Sequence, residues 1–369
     1  MPSLASALLK RSIMAAVLAG SFSTNTFAEI DQSLTADPTT EATVRLTDGS
    51  VIKGAVKGIR GDALLLKTAF SDELAIDVAL VDSLQWLQAT ELMLDDSRVV
   101  ELPALRVADN KVDLGEEQIA LADIDIMNPE PWEEGLGYHW TGDTSAAIAY
   151  NRGNTETDEL DVALNTVLTS TRDRYTFNSK FEQDYVYQLV ENNGTQVRGK
   201  SATADNWKVL GKYDYFLEDS RNYVGVNASV EADALAGIDM RTYAGPYFGR
   251  KLIESDDLTL DGEVGLAWVS TEYADDVDQE DTDYTGLNWS LTGDSSLLGG
   301  DSRIYLRHTG ILDTEETDKV ILKNTLGLAF PLLYGLEAAA EVSFDYDGTA
   351  AEDREKVDET YKLRVGYAW

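Results

Sequence analysis

The chain has 369 residues, a net charge of −36 and no cysteine. Its length allows two or three domains, and the lack of cysteine excludes disulfides and thiolate metal sites. The negative charge argues against nucleic-acid binding, which requires clustered lysine and arginine to displace counterions from phosphates. Two interpretations stay open: a solvated acidic surface, or a function in cation binding or cation preference.

The N-terminal segment has the parts of a secretory signal peptide. Lys10 and Arg11 precede an apolar run over 13–20, and polar residues then lead to Ala28. We expect cleavage after Ala28, which removes residues 1–28. The run is short for a membrane-spanning helix, so an N-terminal anchor is the weaker alternative. No cysteine follows it, which excludes a lipoprotein, and no later apolar stretch is long enough for a helical span.

Residues 29–41 are a polar, flexible lead-in, and residues 42–130 contain a weak internal duplication. Six positions of the first copy match six of the second at an offset of 48, namely Val44, Leu46, Asp48, Val51, Leu64 and Leu66 with Leu92, Leu94, Asp96, Val99, Val112 and Leu114. Each copy reads as short strands separated by turns. The pattern resembles tandem SH3-like or Sm-like β modules. Few basic residues are present, which favours a structural or peptide-binding periplasmic domain over a nucleic-acid binder.

Prolines mark the boundary that follows. Pro129 and Pro131 deny backbone donors, and we interpret residues 131–137 as a linker.

Residues 138–369 alternate apolar and polar positions through about twelve segments. The last segment shows the pattern most clearly, with an apolar face formed by Tyr361, Leu363, Val365, Tyr367 and Trp369. An edge strand this apolar would aggregate in water, so we expect it to face lipid and to close a barrel. The predicted fold is all-β: an antiparallel up-and-down transmembrane β-barrel of about 12 strands, preceded by the small β modules.

The connections between the predicted strands fall into two alternating sets. Five are short, as at 171–174, and six are long and polar, as at 190–200 and 274–283. This alternation puts both ends of the barrel on the side of the short turns, which is typical of outer-membrane barrels. A large soluble β-sandwich would show the same apolar alternation and is the alternative fold.

Residues 138–369 also resemble a known family. The segments that carry the resemblance are GDTSAAIAYNRGNTETDEL, WKVLGKYDYFLEDSRNYVGVNASVE, GPYFGRKLIESDDLTLDGEVGLAWV and ETYKLRVGYAW. They are similar to the salt-induced outer-membrane protein family, the domain-of-unknown-function 481 group. The resemblance implies an outer-membrane barrel without a defined molecular role, and it supplies no catalytic or binding residues. The closing residues Tyr361, Leu363, Val365, Tyr367 and Trp369 also resemble the signal that the barrel-assembly machinery reads.

No catalytic, cofactor or metal site is predicted. The chain has two histidines, His139 and His308, neither in a metal-binding motif nor beside both a serine and an orienting group. An outer-membrane lipid hydrolase is therefore a remote alternative. Residues 274–283 (ADDVDQEDTD) are strongly acidic, which suggests divalent cations as partners. A solvated loop explains the same run.

The polar faces of the predicted strands supply thirteen charged candidates for the barrel interior. They are Asp161, Lys180, Glu182, Asp184, Lys208, Lys212, Glu231, Asp261, Glu263, Lys323, Glu341, Lys362 and Arg364. Such residues form either a salt-bridged plug or a narrow polar pore.

Three functional hypotheses follow. The first is an envelope protein of the outer membrane, acting in salt or osmotic stress or as a narrow passive pore, with its N-terminal domain in the periplasm. The second is a barrel that anchors periplasmic modules which bind a protein or the cell wall. The third is the lipid hydrolase. The expected partners are outer-membrane lipid and the barrel-assembly machinery, and no cofactor is expected.

Overall fold

The structure, a computed structural model, describes residues 41–369 except 116, 152–155, 193–194, 256, 276, 297, 300–301, 318 and 351–354. The predicted signal peptide and nearly all of the lead-in lie outside the described residues. The described chain consists of 23 β-strands and short 3₁₀ turns, and it divides into two units between Asn128 and Pro129. Within these residues no helix is long and apolar enough to cross a membrane.

The first unit contains eleven short strands. They are β1 (Glu41–Leu46), β2 (Val51–Arg60), β3 (Ala63–Lys67), β4 (Leu74–Asp77), β5 (Val81–Trp86), β6 (Thr90–Leu94), β7 (Val99–Leu102), β8 (Leu105–Ala108), β9 (Lys111–Asp113), β10 (Gln118–Ala120) and β11 (Ile124–Met127). All of their pairings are antiparallel. The sheet order is β10-β9-β8-β5-β1-β2-β11-β6-β7, with β3 and β4 extending from β2.

The two sequence copies occupy equivalent places in this sheet. The last strand of each copy pairs with the first, β5 with β1 and β11 with β6. Each last strand also pairs with the other copy, β5 with β8 and β11 with β2. A 3₁₀ turn precedes each last strand, at Val78–Leu80 and at Leu121–Asp123. The tandem β architecture is confirmed, and the two copies share one sheet.

One apolar core serves both copies. Leu64 and Leu66 from the first copy and Leu92 and Val112 from the second are fully buried in the same cluster. These are positions at which the two copies match in sequence, so the duplicated residues are the ones that the domain buries. Burial of such side chains is the main favourable contribution to folding a unit of this size.

The second unit is a closed barrel of twelve strands joined in chain order. They are β12 (His139–Asn151), β13 (Glu156–Thr169), β14 (Asp173–Asn192), β15 (Thr195–Phe216), β16 (Asn222–Asp233), β17 (Ile238–Glu254), β18 (Leu258–Tyr273), β19 (Thr282–Ser295), β20 (Arg303–Asp313), β21 (Val320–Pro331), β22 (Leu336–Asp347) and β23 (Val357–Ala368). Every strand has at least the 9–11 residues that a tilted strand needs to cross a bilayer, the shortest being β20 with 11. The predicted antiparallel up-and-down barrel of twelve strands is confirmed.

The outer surface of the barrel is apolar, as a lipid-facing surface must be. Large apolar side chains stand exposed on it, including Trp140, Phe177, Val226, Phe248, Leu266, Trp268, Leu326, Val342 and Leu363. Aromatic rings cluster at the end of the barrel that carries the start of β12 and the end of β23. There the ring centroids of Tyr175 and Tyr213 are 4.9 Å apart, and those of Trp140 and Trp369 are 5.8 Å apart. Such a girdle marks a membrane–water interface. The surface is that of a transmembrane barrel of the outer-membrane type.

Residues 190–200 were expected to be a long loop, and this expectation is wrong. β14 continues to Asn192 and β15 begins at Thr195, so these two strands are the longest of the barrel. The sequence there is polar because the strands continue past the apolar band of the barrel. A polar sequence therefore does not by itself distinguish a loop from the extension of a strand.

Pro246, which interrupts the pattern of its segment, lies within β17. The register between β17 and β18 passes from Ala244 to Tyr247 and skips Gly245 and Pro246. Proline has no N–H to donate to a neighbouring strand, so the local gap in the ladder accommodates it.

The junction of the first and last barrel strands is the shortest in the barrel. Among the described residues, β12 and β23 pair in register from Asp143–Ala146 to Val365–Ala368, whereas β22 and β23 pair from Leu336 to Tyr346. Two backbone hydrogen bonds between Gly142 and Trp369, of 3.0 and 3.1 Å, extend the short junction. Few backbone hydrogen bonds therefore close the barrel.

Side chains reinforce this junction from inside. Asp161 of β13 accepts from Lys362 and from Arg364 of β23, each at 2.5 Å, so both contacts reach across β12. Ala147 of β12 pairs with Asp161 and has too small a side chain to obstruct the contact. We call Asp161, Lys362 and Arg364 the seam clasp. It joins two strands that share no backbone hydrogen bonds in the described register.

Substitution of the leucines should show that the N-terminal domain depends on its shared core. We expect Leu66→Ala to destabilise residues 41–128 by about 2–5 kcal/mol, because it leaves a cavity in a fully buried site. Hydrogen exchange of peptides from this domain, measured in the full chain, reports the loss of protection. Leu87→Ala is the matched control, since Leu87 is mostly exposed. Equal effects of the two variants would contradict the assignment of the core.

The seam clasp should contribute to the stability of the barrel. We expect Asp161→Asn to weaken closure by about 2 kcal/mol, because hydrogen bonds to charged groups contribute roughly that amount. Lys362 and Arg364 keep Glu182 and Glu341 as partners, so neither cation is left alone. The readout is the temperature at which the folded, fast-migrating form disappears in heat-modifiable electrophoresis. Asp219→Asn in an exposed turn is the control, and an unchanged transition in Asp161→Asn would refute the contribution.

Candidate functional site

The inward face of the barrel carries the polar residues of each strand. Because side chains alternate along a strand, the residues between the lipid-facing ones point into the lumen. Twelve of the thirteen predicted interior residues take part in ion pairs there. The thirteenth, Asp184, accepts a hydrogen bond from the backbone of Leu160 at 3.3 Å. The candidate site is therefore the lumen itself.

A cavity of 590 Å³ lies inside the barrel. Nine basic residues line it: Arg174, Lys180, Lys208, Lys212, Arg241, Arg303, Arg307, Lys323 and Arg364. Six acidic residues line it as well: Asp143, Glu231, Asp261, Glu263, Glu337 and Glu341. The remaining wall is largely hydroxyl and amide groups, so the space suits water and polar solutes.

The middle of the lumen is crossed by an ion pair. Glu231 on β16 accepts from Lys323 on β21 at 2.9 Å, and these strands stand five apart in a barrel of twelve. Lys208 on β15 also contacts Glu231, at 3.2 Å, and Arg241 lies 3.5 Å from it. One carboxylate therefore holds three cations from two opposite walls. We call Glu231, Lys323, Lys208 and Arg241 the central bridge.

Arg241 links the central bridge to the far end of the barrel, away from its termini. Its Nη1 donates to Asp347 on β22 at 2.8 Å, and its Nη2 donates to Thr349 at 3.1 Å. The carbonyl of Thr349 accepts from the hydroxyl of Tyr273 at 3.1 Å and from the amide of Gln279 at 3.3 Å. The connection after β22 is therefore held against β17 and β18, which narrows the lumen at this end.

A second group of charges lies toward the end of the barrel that carries the termini. Arg174 donates to Asp214 at 2.7 Å and lies 3.4 Å from Asp261. Lys212 donates to both oxygens of Glu263, at 2.7 and 2.8 Å. These contacts join β14, β15 and β18 along one wall.

Two tyrosines pack flat against the same wall. The hydroxyl of Tyr223 donates to Glu263 at 3.0 Å, and that of Tyr247 donates to Asp214. Their rings lie over Gly249 and Gly225, where any Cβ would overlap the ring atoms. The two glycines therefore let the tyrosines lie along the wall and leave the lumen free.

The opposite wall has its own network, built on β20. Arg303 and Arg307 lie four residues apart on β20, and both side chains point inward. Both contact Asp294, at 3.1 and 2.9 Å. Arg303 also contacts Glu337 at 3.2 Å, and the hydroxyl of Tyr305 donates to Glu341 at 2.7 Å. Glu341 in turn pairs with Arg364 of the seam clasp.

Several lumen cations were not anticipated from the sequence, chiefly Arg174, Arg241, Arg303 and Arg307. Three of them lie on β17 and β20, whose outward faces lack a clean apolar repeat. The signal was nevertheless present in β20, where Arg303, Tyr305 and Arg307 alternate with apolar Ile304 and Leu306. Arg174 is the second residue of β14. At the end of a strand too few residues alternate to show whether a side chain points into the lumen or toward lipid.

His308 lies on the outer face of the barrel, in a polar chain of three residues. The indole N–H of Trp289 donates to Nε2 of His308 at 2.8 Å, and Nδ1 of His308 lies 2.7 Å from the amide oxygen of Asn324. The amide nitrogen of Asn324 donates to the carbonyl of Phe344 at 2.9 Å. His308 therefore has an orienting group, contrary to expectation. A tryptophan donor occupies the nitrogen that would accept a proton from a nucleophile.

The other residues singled out from the sequence lie away from the lumen. His139 lies at the start of β12, where its ring is 5.1 Å from that of Trp132. In the acidic segment, Asp281 accepts from the backbone of Tyr273 at 2.9 Å. No group of three or more metal-ligating side chains is placed to hold an ion among the residues that the structure describes.

The proposed assembly residues share the lipid-facing side of β23. Tyr361 and Leu363 are the most exposed of them, at 73% and 80%, followed by Val365, Tyr367 and Trp369. Tyr367 and Trp369 stack at 6.3 Å. These residues form a continuous apolar face beside the short junction with β12.

Comparison with known proteins identifies the family of the barrel. Residues 144–369, well over half of the chain, match the family described as protein of unknown function, DUF481. No curated protein sequence matches the chain.

Solved barrels of low similarity also match. The KdgM porin is 12% identical with a TM-score of 0.32, covering 63% of this chain and 99% of that one. The NanC porin is 10% identical with a TM-score of 0.35, covering 62% and 98%. The β domain of the Bordetella autotransporter BrkA is 15% identical with a TM-score of 0.30, covering 63% and 98%. These values transfer no substrate or activity, and the match over residues 144–369 establishes that the chain belongs to the DUF481 family.

Proposed function

We propose that the protein resides in the outer membrane and that its barrel is a narrow passive pore for small polar solutes. The observation that carries this proposal is the 590 Å³ cavity inside the barrel, whose wall is rich in charged and polar groups. A polar interior behind an apolar exterior is the arrangement of a water-filled barrel. A salt-bridged plug that only filled the barrel would not require such a cavity.

The ion pairs of the lumen set its width. The central bridge spans the middle, and the contacts of Thr349 narrow the far end. Lysine and arginine side chains are long and rotate readily, so a pore crossed by them passes small solutes and retains large ones. This filter suits the release or uptake of ions and small molecules when the salt concentration around the cell changes. A role in envelope integrity under osmotic or salt stress is part of the proposal.

We place the N-terminal domain in the periplasm. Both ends of the barrel lie at one rim, where Gly142 of β12 bonds to the C-terminal Trp369. In outer-membrane barrels this rim carries the tighter turns and faces the periplasm. Here its connections include the short ones at 170–172 and 332–335. The chain enters β12 at this rim, which supports a periplasmic location for the preceding domain.

The apolar face of β23 supports two further partners. Outer-membrane lipid covers it in the folded barrel, and the barrel-assembly machinery reads Tyr361, Leu363, Val365, Tyr367 and Trp369 during insertion. The exposure of these side chains, from 37% to 80%, leaves them available to both.

The N-terminal domain supports a second candidate function, the anchoring of a binding module. Phe70, Leu80 and Leu87 are large apolar residues of this domain that stand 50–79% exposed. Exposed apolar groups of this kind are typical of surfaces that bind a protein partner. In this alternative the barrel is an anchor, and its lumen carries no solute.

Conductance separates the two candidates. In planar bilayers we expect the purified protein to give small, stable channels. Lys323→Ala should raise their conductance, because it removes the side chain that crosses the lumen to Glu231. Glu231 keeps Lys208 and Arg241, so it is not left unpaired. Lys57→Ala in the N-terminal domain is the control. A correctly folded barrel without conductance would refute the pore and favour the anchor.

The lipid-hydrolase alternative makes a different prediction for His308. We expect no lipase activity in the protein, and we expect His308→Ala to lower barrel stability. The substitution leaves the Trp289 and Asn324 polar groups without a partner in an apolar setting, at a cost of about 1–3 kcal/mol each. Heat-modifiable electrophoresis measures the stability, and His139→Ala is the control at the exposed rim. Lipase activity that His308→Ala abolishes would overturn this assignment.

A further inference from the structure

The ion pairs of the lumen do not expose their two partners equally. Lys180 has 43% of its side chain exposed, and its partner Glu182 has 10%. Lys208 and Lys323 are 37% and 36% exposed, and the Glu231 that they share is 14% exposed. In these lysine pairs the carboxylates lie against the barrel wall and the ammonium groups stand over them, facing the lumen. The arginines Arg241 and Arg364 are instead less exposed than their partners Asp347 and Glu341.

Two further contacts concentrate positive charge. Lys180 of β14 and Lys208 of β15 are directly opposite in register, on the same inward face. Like charges in such a pair repel each other unless an anion lies close to them. On the other wall, Asp294 is shared by Arg303 and Arg307, and Arg307 is 38% exposed. Each wall therefore presents partly exposed cations to the cavity, each with a carboxylate beside it.

The balance of the whole cavity agrees with this local picture. Nine basic and six acidic residues line the cavity, in a chain whose net charge is −36. Further carboxylates pair with these basic residues without lining the cavity, including Glu182, Asp214, Asp294 and Asp347. The groups that a solute meets inside the barrel are therefore more often basic than acidic. A confined passage whose wall carries an excess of one sign concentrates ions of the opposite sign.

We propose that the lumen selects for small anions, with Lys180, Lys208 and Arg307 as the residues that determine the selectivity. This proposal rests on the proposed pore function and names the class of solute for the same site. It runs against the expectation from overall charge, which favours cations. A passing anion moves from one exposed cation to the next, while each cation stays paired with its carboxylate.

The test is the reversal potential of the full-length protein in a planar bilayer with unequal potassium chloride on the two sides. We expect chloride to be preferred over potassium roughly fivefold, which corresponds to about 1 kcal/mol at 25 °C. The triple variant Lys180→Gln, Lys208→Gln, Arg307→Gln should abolish or reverse this preference. Glu182 keeps Lys362, Glu231 keeps Lys323, and Asp294 keeps Arg303, so the variant retains a cation beside each carboxylate.

The matched control removes the same charges outside the barrel. The variant Lys57→Gln, Lys67→Gln, Arg98→Gln changes two lysines and one arginine of the N-terminal domain, all well exposed. Its selectivity should equal that of the unaltered protein. Conductance with a preference for potassium, or equal passage of both ions, would overturn the anion proposal and leave the pore intact. Absence of any conductance from the folded protein would overturn both.

Discussion

Closure of the strand ladder is the constraint on which the barrel depends. A bilayer offers no partners for backbone N–H and C=O groups, so each strand must bond to a neighbour on both sides. Eleven of the twelve junctions join consecutive strands, which pair over most of their length. The junction of β12 with β23 has no hairpin to hold it, and its described backbone register is short. Asp161, Lys362 and Arg364 make up for this with charged contacts that reach over β12.

The same charged residues that close the barrel also shape its interior. Charges inside a membrane protein are costly unless they are paired, and nearly every lumen carboxylate has at least one cation beside it. Sharing of one carboxylate by several cations, as at Glu231 and Asp294, lets the lumen hold more basic than acidic groups at its surface. Stability and solute preference therefore come from one network, and the exposed partner of each pair faces the solute.

The N-terminal domain solves a different problem by duplication. One copy of its five-strand pattern offers a small core, and small cores are marginal. Because the last strand of each copy pairs with the other, the two copies form one sheet and bury one common set of residues, including Leu64 and Leu92. The domain thereby buries residues of both copies in one core. Its exposed Phe70 and Leu87 are not part of that core.

The sequence by itself determined the strands and their faces. Side chains along a β-strand alternate between its two faces with a period of two residues. Because this alternation depends only on local strand geometry, the sequence shows which side chains share a face. This is why twelve of the thirteen interior residues named from the pattern lie in lumen ion pairs. It is also why Arg303 and Arg307 were missed, since the outward face of their strand is broken by His308 and Gly310.

Only the tertiary structure decided which of these residues meet. Contacts such as Glu231 with Lys323, or Asp161 with Lys362, join strands far apart in the chain, and they follow from strand number, tilt and closure of the whole barrel. The sequence showed a mixture of charges and an acidic total, which pointed toward cations. In the folded barrel, the carboxylates of the lysine pairs lie against the wall and the lysines lie over them. The burial of these carboxylates depends on the assembled barrel and not on the order of residues along a strand.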